Sequence, residues 1–188
     1  MPQVMNLSAP PQREPGFVWR KHGAHAALEL SAERIPLSQL AARFGTPLYC
    51  YSQAAIASRF RIFQRAFARV PHTICYSVKA NSNLSILRLL AKLGSGFDVV
   101  SGGELERVLR AKRRSAAGNV VFSGVGKTEV EIDAALRAGI LMFNAESESE
   151  IERLASRAAH LRKRARVALR VNPDVPAETH PYIATGMR

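Results

Sequence analysis

From residue 72 onward, short apolar runs alternate with longer amphipathic stretches. The runs are TICYSV (73–78), FDVV (97–100), NVVF (119–122), ILMF (140–143) and VALRV (167–171). Each is short, rich in β-branched or aromatic residues and bounded by polar text, which predicts strands. Between them, apolar positions recur at helical spacing. Leu105, Val108 and Leu109 share one face of a helix whose other face carries Arg107 and Arg110. Ile151, Leu154, Ala155 and Ala158 repeat the pattern later. The runs begin about 21–27 residues apart, the length of a unit built from a short strand, a loop, a helix and a second loop. Strands apolar on both faces and joined by helices predict a parallel sheet. Two α/β closures fit it, an open doubly wound sheet and a (β/α)8 barrel. Five units are present, where a closed barrel needs eight.

Upstream the pattern weakens. Residues 1–30 are Pro-rich and aperiodic, which reads as a leader or a segment that packs on something else. Ser31–Phe44 reads as a short helical region, broken by Gly45-Thr46-Pro47. PLYCYS (47–52) reads as a strand, followed by a helix with Ile56, Phe60, Phe63 and Phe67 at helical spacing. The expected division is therefore a leader with a short helix over 1–46 and a strand–helix domain over 47–188.

Composition narrows the class. A chain of 188 residues with 47% apolar content can bury one real core. The net charge of +12 invites a nucleic-acid reading. Its main sources, RVLRAKRR (107–114) and LRKRAR (161–166), sit at the C-terminal ends of predicted helices, where cations offset the helix dipole. No aromatic residues interleave with them as a base-stacking platform requires, so a solvated arginine-rich surface is the better account and no nucleic-acid partner is expected. No apolar run reaches the ~18–20 residues that span a bilayer. The N-terminus lacks the basic start and apolar stretch of a secretory signal, so a cytoplasmic protein without a membrane partner is expected. Cys50 and Cys75 have no CxxC spacing, which suggests neither a disulfide framework nor a metal site.

Three stretches carry candidate chemistry. FSGVGKTEVEI (122–132) resembles a phosphate loop, but the glycine that pattern needs five positions before Gly126 is Val121. A loop leading into a helix through Thr128 explains Gly124 and Gly126 by backbone freedom. In SGFDVVSGGELERVL (95–109), Asp98 lies inside a β-run, where a carboxylate needs a partner. Ser101 and Glu104 have the spacing of a capping box, and Glu104 would still lie at the C-terminal end of the sheet. Lys79 closes the first run in CYSVKAN (75–81), at the rim where parallel α/β architectures place their chemistry. It reads either as the point where a strand meets solvent or as a Schiff-base amine.

YSVKANSNLSILRLLAKLGSGFDVVSGGELERVL, VVFSGVGKTEVEI, GILMFNAESESEIERL and LRVNPDVPAETHPYIATGMR together resemble the diaminopimelate decarboxylases. These belong to the alanine-racemase-like (fold type III) pyridoxal-phosphate enzymes. The resemblance covers about residues 35–188 and matches the N-terminal portion of such an enzyme. YxVKAN and GFDxxSxGE mark the wider decarboxylase group, and RVNPDV…THPYIxTG points to the diaminopimelate branch over the ornithine and arginine enzymes.

The resemblance implies a partial (β/α)8 TIM-type barrel, preceded by an N-terminal segment that packs on a separate β-domain. It implies that Lys79 carries pyridoxal 5'-phosphate as a Schiff base and, once released, moves protons. Asp98 and Glu104 match positions near that lysine and the cofactor. Arg170 matches an arginine beside the pyridine nitrogen, which it would keep unprotonated. The implied reaction is decarboxylation of an amino acid, meso-2,6-diaminopimelate, to L-lysine in a homodimer. In the family, the histidine stacked on the cofactor, the glycine-rich phosphate loop, the β-domain contacts and the partner-subunit residue all come later than the matched region. Residues 1–188 alone are therefore expected to be inactive, to hold the cofactor weakly and to self-associate. The alternative is a non-catalytic pyridoxal-phosphate-binding barrel protein of the same superfamily.

Overall fold

The computed structural model describes residues 16–22, 27–111 and 117–172. Most of the RVNPDV…THPYIxTG motif lies outside the described residues. The chain forms two compact units, Met1–His72 and Thr73–Arg188.

The first unit departs most from expectation. Part of the supposed leader is a three-stranded antiparallel sheet of β1 (Phe17–Lys21), β2 (Leu28–Ala32) and β3 (Ile35–Pro36). Helix α1 covers only Leu37–Phe44, so the helical region expected from Ser31 begins as strand. Residues 47–52 form no strand. Pro47 lacks an N–H for a ladder, Leu48 and Tyr49 are exposed, and no segment among the described residues pairs with them. Helix α2 (Gln53–Ala66) does form, with Ser52 Oγ capping it by accepting from Ala55 N at 3.1 Å. Its apolar stripe is half covered: Phe60 is buried, while Phe63 is exposed. Glu33 sits at φ 57° in the β2–β3 turn, and its carboxylate accepts from Ala54 N (2.9 Å) and Ser52 Oγ (3.0 Å). Those bonds, Ala54's first, hold its carboxyl below the usual range.

The second unit follows the predicted series. Its strands are β4 (Cys75–Ser77), β5 (Gly96–Val99), β6 (Val120–Phe122), β7 (Met142–Ala145) and β8 (Val167–Leu169). All are parallel, in the order β4-β5-β6-β7-β8. Every strand pairs with the next in sequence, without the reversal that defines a doubly wound sheet. The arrangement is that of a partial (β/α)8 barrel, and of the two expected architectures it fits the barrel rather than the doubly wound sheet.

Helices α3 (Leu84–Lys92), α4 (Gly102–Ala111), α5 (Glu129–Ala138) and α6 (Glu148–His160) alternate with the strands and pack on one another in order. The core lies between them and one face of the sheet. Phe97, Val99, Val120, Phe122 and Phe143 from the strands are nearly solvent-free, as are Leu87, Leu105, Val108, Ile132 and Leu154 from the helices. Each such burial contributes about 1.5–3 kcal/mol, so this interface stabilises the unit more than any polar contact in it.

The helix starts are written in the sequence. Asn83 Oδ1 caps α3 by accepting from Ser85 N, and Ser147 caps α6. Thr128 and Glu131 form a full capping box on α5. Glu131 also accepts from Gly102 N at 2.7 Å, tying the start of α5 to the start of α4.

Candidate active site

The strands were expected to be apolar on both faces, and they are not. Parallel register places Ser77 beside Asp98, Asp98 beside Val121, and Asn144 beside Ala168. These residues share the sheet face opposite the helix-covered core, since successive side chains along a strand alternate. Two residues past the strand positions on that face come Lys79, Ser123 and Arg170. A polar row therefore lines the C-terminal rim.

Lys79 stands in a tight turn, Val78–Ala80, directly after β4. Val78 is fully buried and pins the turn. Tyr76 Oη donates to Asn81 O at 3.2 Å, and Asn81 Oδ1 accepts from Asn83 N at 3.0 Å. The lysine itself is exposed and makes no hydrogen bond or ion pair among the described residues. A stiff backbone thus presents an amine with no partner of its own.

Asp98, one strand over, has the partner that its position demands. Ser123 Oγ donates to Asp98 Oδ1 at 2.5 Å, and Asn144 Nδ2 donates to Ser123 Oγ at 2.9 Å. Three strands are linked by one chain of bonds ending on a carboxylate. Ser77 Oγ, in register with Asp98, is buried and has no hydrogen-bond partner among the described residues. Burial first, and then the Asp98 charge, push the Cys75 thiol up, which makes it a poor nucleophile at neutral pH.

Glu104 is spoken for locally. Its Oε2 accepts from Val100 N at 2.9 Å, and its own N–H donates to Ser101 Oγ at 3.3 Å. The pair caps α4 much as the spacing suggested, with the carboxylate on Val100 rather than Ser101.

Arg170 follows β8, separated from Lys79 by three strands of the sheet. Its Nη1 lies 3.1 Å from Glu146 Oε1, the same oxygen that accepts from Gly124 N at 3.1 Å. Sequence reasoning passed over Ser77, Ser123, Asn144 and Glu146. Their signal was the two-residue step along each strand, which puts them on one face or at its rim with Asp98.

The relatives of this chain can now be set beside that geometry. Residues 53–188 match the family described as pyridoxal-dependent decarboxylase, pyridoxal binding domain. The chain belongs to this family. Among similar proteins, the diaminopimelate decarboxylase of Neisseria meningitidis serogroup A is 55% identical over 86% of this chain and 39% of its own length. That of Pseudomonas aeruginosa is 56% identical over 85% of this chain and 38% of its own. The solved diaminopimelate decarboxylase of M. jannaschii, in co-complex with L-lysine, is 36% identical. It aligns with a TM-score of 0.80, covering 92% of this chain and 39% of its own. The chain thus spans about 39% of the length of the relatives it matches.

The rim fits a pyridoxal group in its donor set. An unpartnered amine suits an aldehyde carbon, and beside it Ser77 Oγ is buried without a hydrogen-bond partner among the described residues, in register with the Asp98 carboxylate of the next strand.

Proposed function

We propose that these residues are the pyridoxal-bearing portion of an enzyme that removes CO2 from the D-centre of meso-2,6-diaminopimelate to give L-lysine. The observation that carries this reading is the rim itself, where Lys79 has no competing partner and Asp98 is held by Ser123 and Asn144. The identity with named diaminopimelate decarboxylases supports the substrate.

Lys79 Nζ would hold the cofactor's aldehyde carbon, with Asp98 and Arg170 bordering the same face. Bound pyridoxal phosphate supplies the electron sink that stabilises the carbanion left by departing CO2. The Asp98 carboxylate, fixed by the hydroxyl that Ser123 donates to it, offers an acceptor to a cation near it. The Arg170 guanidinium disfavours protonation of a ring nitrogen placed beside it. Once substrate is held, Lys79 Nζ is free to return a proton to the carbon that has lost its carboxylate. Glu104 supports this arrangement through the β5–α4 turn.

Borohydride reduction of the full-length protein with pyridoxal phosphate, then peptide mapping, tests the anchor; the label is expected on Lys79. Release of CO2 from meso-diaminopimelate tests the reaction. A label on Lys92 or Lys127 overturns the anchor. A label on Lys79 without CO2 release favours the non-catalytic binding barrel instead.

A further inference from the structure

Lys127 is 2% exposed and Glu150 4%, and they form an ion pair at 2.5 Å on the helix side of the sheet. Lys127 lies in FSGVGKTEVEI, the stretch whose phosphate-loop spacing fails. A buried pair of this kind is often replaceable by apolar side chains without loss of stability, so its bonds matter more than its charge. Lys127 Nζ uses all three protons, donating to Gly124 O (2.8 Å), Asn144 O (2.8 Å) and Glu150 Oε1. The other oxygen of Glu150 accepts from Glu146 N at 3.2 Å.

Each of those contacts leads to the rim. Asn144 is the residue whose side chain fixes Ser123 and through it Asp98. Glu146 is the residue whose carboxylate holds both Gly124 N and Arg170. One ammonium and one carboxylate thus tie the ends of β6, β7 and α6 to each other, and from those ends Ser123, Asn144 and Glu146 reach the two charged groups flanking the proposed cofactor, Asp98 on β5 and Arg170 after β8. We propose that the buried Lys127–Glu150 pair is a positioning element for the rim, holding Asp98 through Asn144 and Arg170 through Glu146. The catalytic relevance of the pair rests on the function proposed above; its organisation of the rim does not.

The test is the paired variant Lys127→Met/Glu150→Leu in the full-length protein, which removes both buried charges together and so spares the fold. Amide hydrogen exchange, run without pyridoxal phosphate, is expected to show protection at Gly124 and Glu146 falling by about tenfold or more. Protection at Leu87, in α3, should stay unchanged. With pyridoxal phosphate added, the absorption band of the bound cofactor should shift relative to wild type. Unchanged exchange at both amides overturns the proposal. Lost protection with an unmoved absorption band overturns the positioning role and leaves the pair a support of the fold alone. A wild-type protein that takes up no cofactor, with protection still lost in the variant, overturns the proposed function and upholds the organisation of the rim.

Discussion

Arg157 grips Asp133 with two nitrogens, Nε at 2.8 Å from Oδ1 and Nη2 at 2.6 Å from Oδ2, and so joins α6 to α5. Arg137, one turn along α5, adds a 3.3 Å contact to Oδ2. The hydrogen bonds from Arg157, with the charges of Arg157 and Arg137 behind them, hold the Asp133 carboxyl below its ordinary value of 3.8. A depressed carboxyl favours the folded state above its unfolded pKa and loses that contribution as pH falls through the lower folded value. Wild type should therefore unfold at higher temperature than Arg157→Ala at neutral pH. Scanning downward from about pH 4, the gap between them should close. A gap that persists unchanged to about pH 2 would show that Arg157 acts through packing instead.

Gly96 makes a prediction that involves no chemistry at all. A Cβ there would lie 2.6 Å from Asn119 O and 2.7 Å from Cys75 Sγ, at the point where β5 begins. The carbonyl belongs to the backbone and cannot rotate away, so Gly96→Ala forces the strands apart. Overpacking of this sort costs about 1–3 kcal/mol, readable as a lower urea midpoint at unchanged slope. A midpoint equal to wild type would mean that β5 and the turn before β6 yield more easily than their contacts imply.

How much of this was legible beforehand differs along the chain. The five barrel strands were, because Phe97, Phe122 and Phe143 are buried under helices whose own stripes repeat at helical spacing. The first sheet was not. Its strands β1 and β2 pair over Phe17–Lys21 and Leu28–Ala32, yet Trp19 and Leu28 remain exposed, so burial left no alternating pattern to read. At the rim, Lys79 stands out in the sequence by its place at a strand end and Asp98 by its place inside a β-run, while Arg170 is singled out only by the family resemblance. Ser123 and Asn144 do not stand out, since a serine and an asparagine become informative only once the fold brings Ser123 Oγ onto Asp98 and Asn144 Nδ2 onto Ser123.

Lys79 and Lys127 are opposites, and the contrast is testable. Lys127 has three acceptors and is nearly solvent-free, while Lys79 has none among the described residues and is exposed. Lys79→Arg keeps the charge but removes an amine that can form and release a covalent bond. In the full-length protein, decarboxylation is expected to fall by at least about 100-fold from the loss of proton transfer alone. Thermal stability measured without pyridoxal phosphate should be unaffected, since Lys79 makes no hydrogen bond or ion pair among the described residues. Activity within tenfold of wild type would remove Lys79 from the mechanism.

Arg170 separates structural from electrostatic roles most sharply. Its ion pair with Glu146 is 55% exposed on the arginine side, and an exposed pair of this kind is worth about 0–1 kcal/mol. Arg170→Ala should therefore leave unfolding almost where it was. If the guanidinium instead keeps the ring nitrogen of the bound cofactor unprotonated, its removal changes the electronics of the reaction without changing the fold. The expected outcome in the full-length protein is slower CO2 release together with a side reaction, transamination, seen as conversion of the cofactor to its amine form. Lysine at this position would restore a charge without the planar fork, and partial recovery in Arg170→Lys would assign the effect to charge rather than shape. Unchanged rate and product in Arg170→Ala would reduce Arg170 to the surface partner of Glu146, and the proposed control of the ring nitrogen would fall with it.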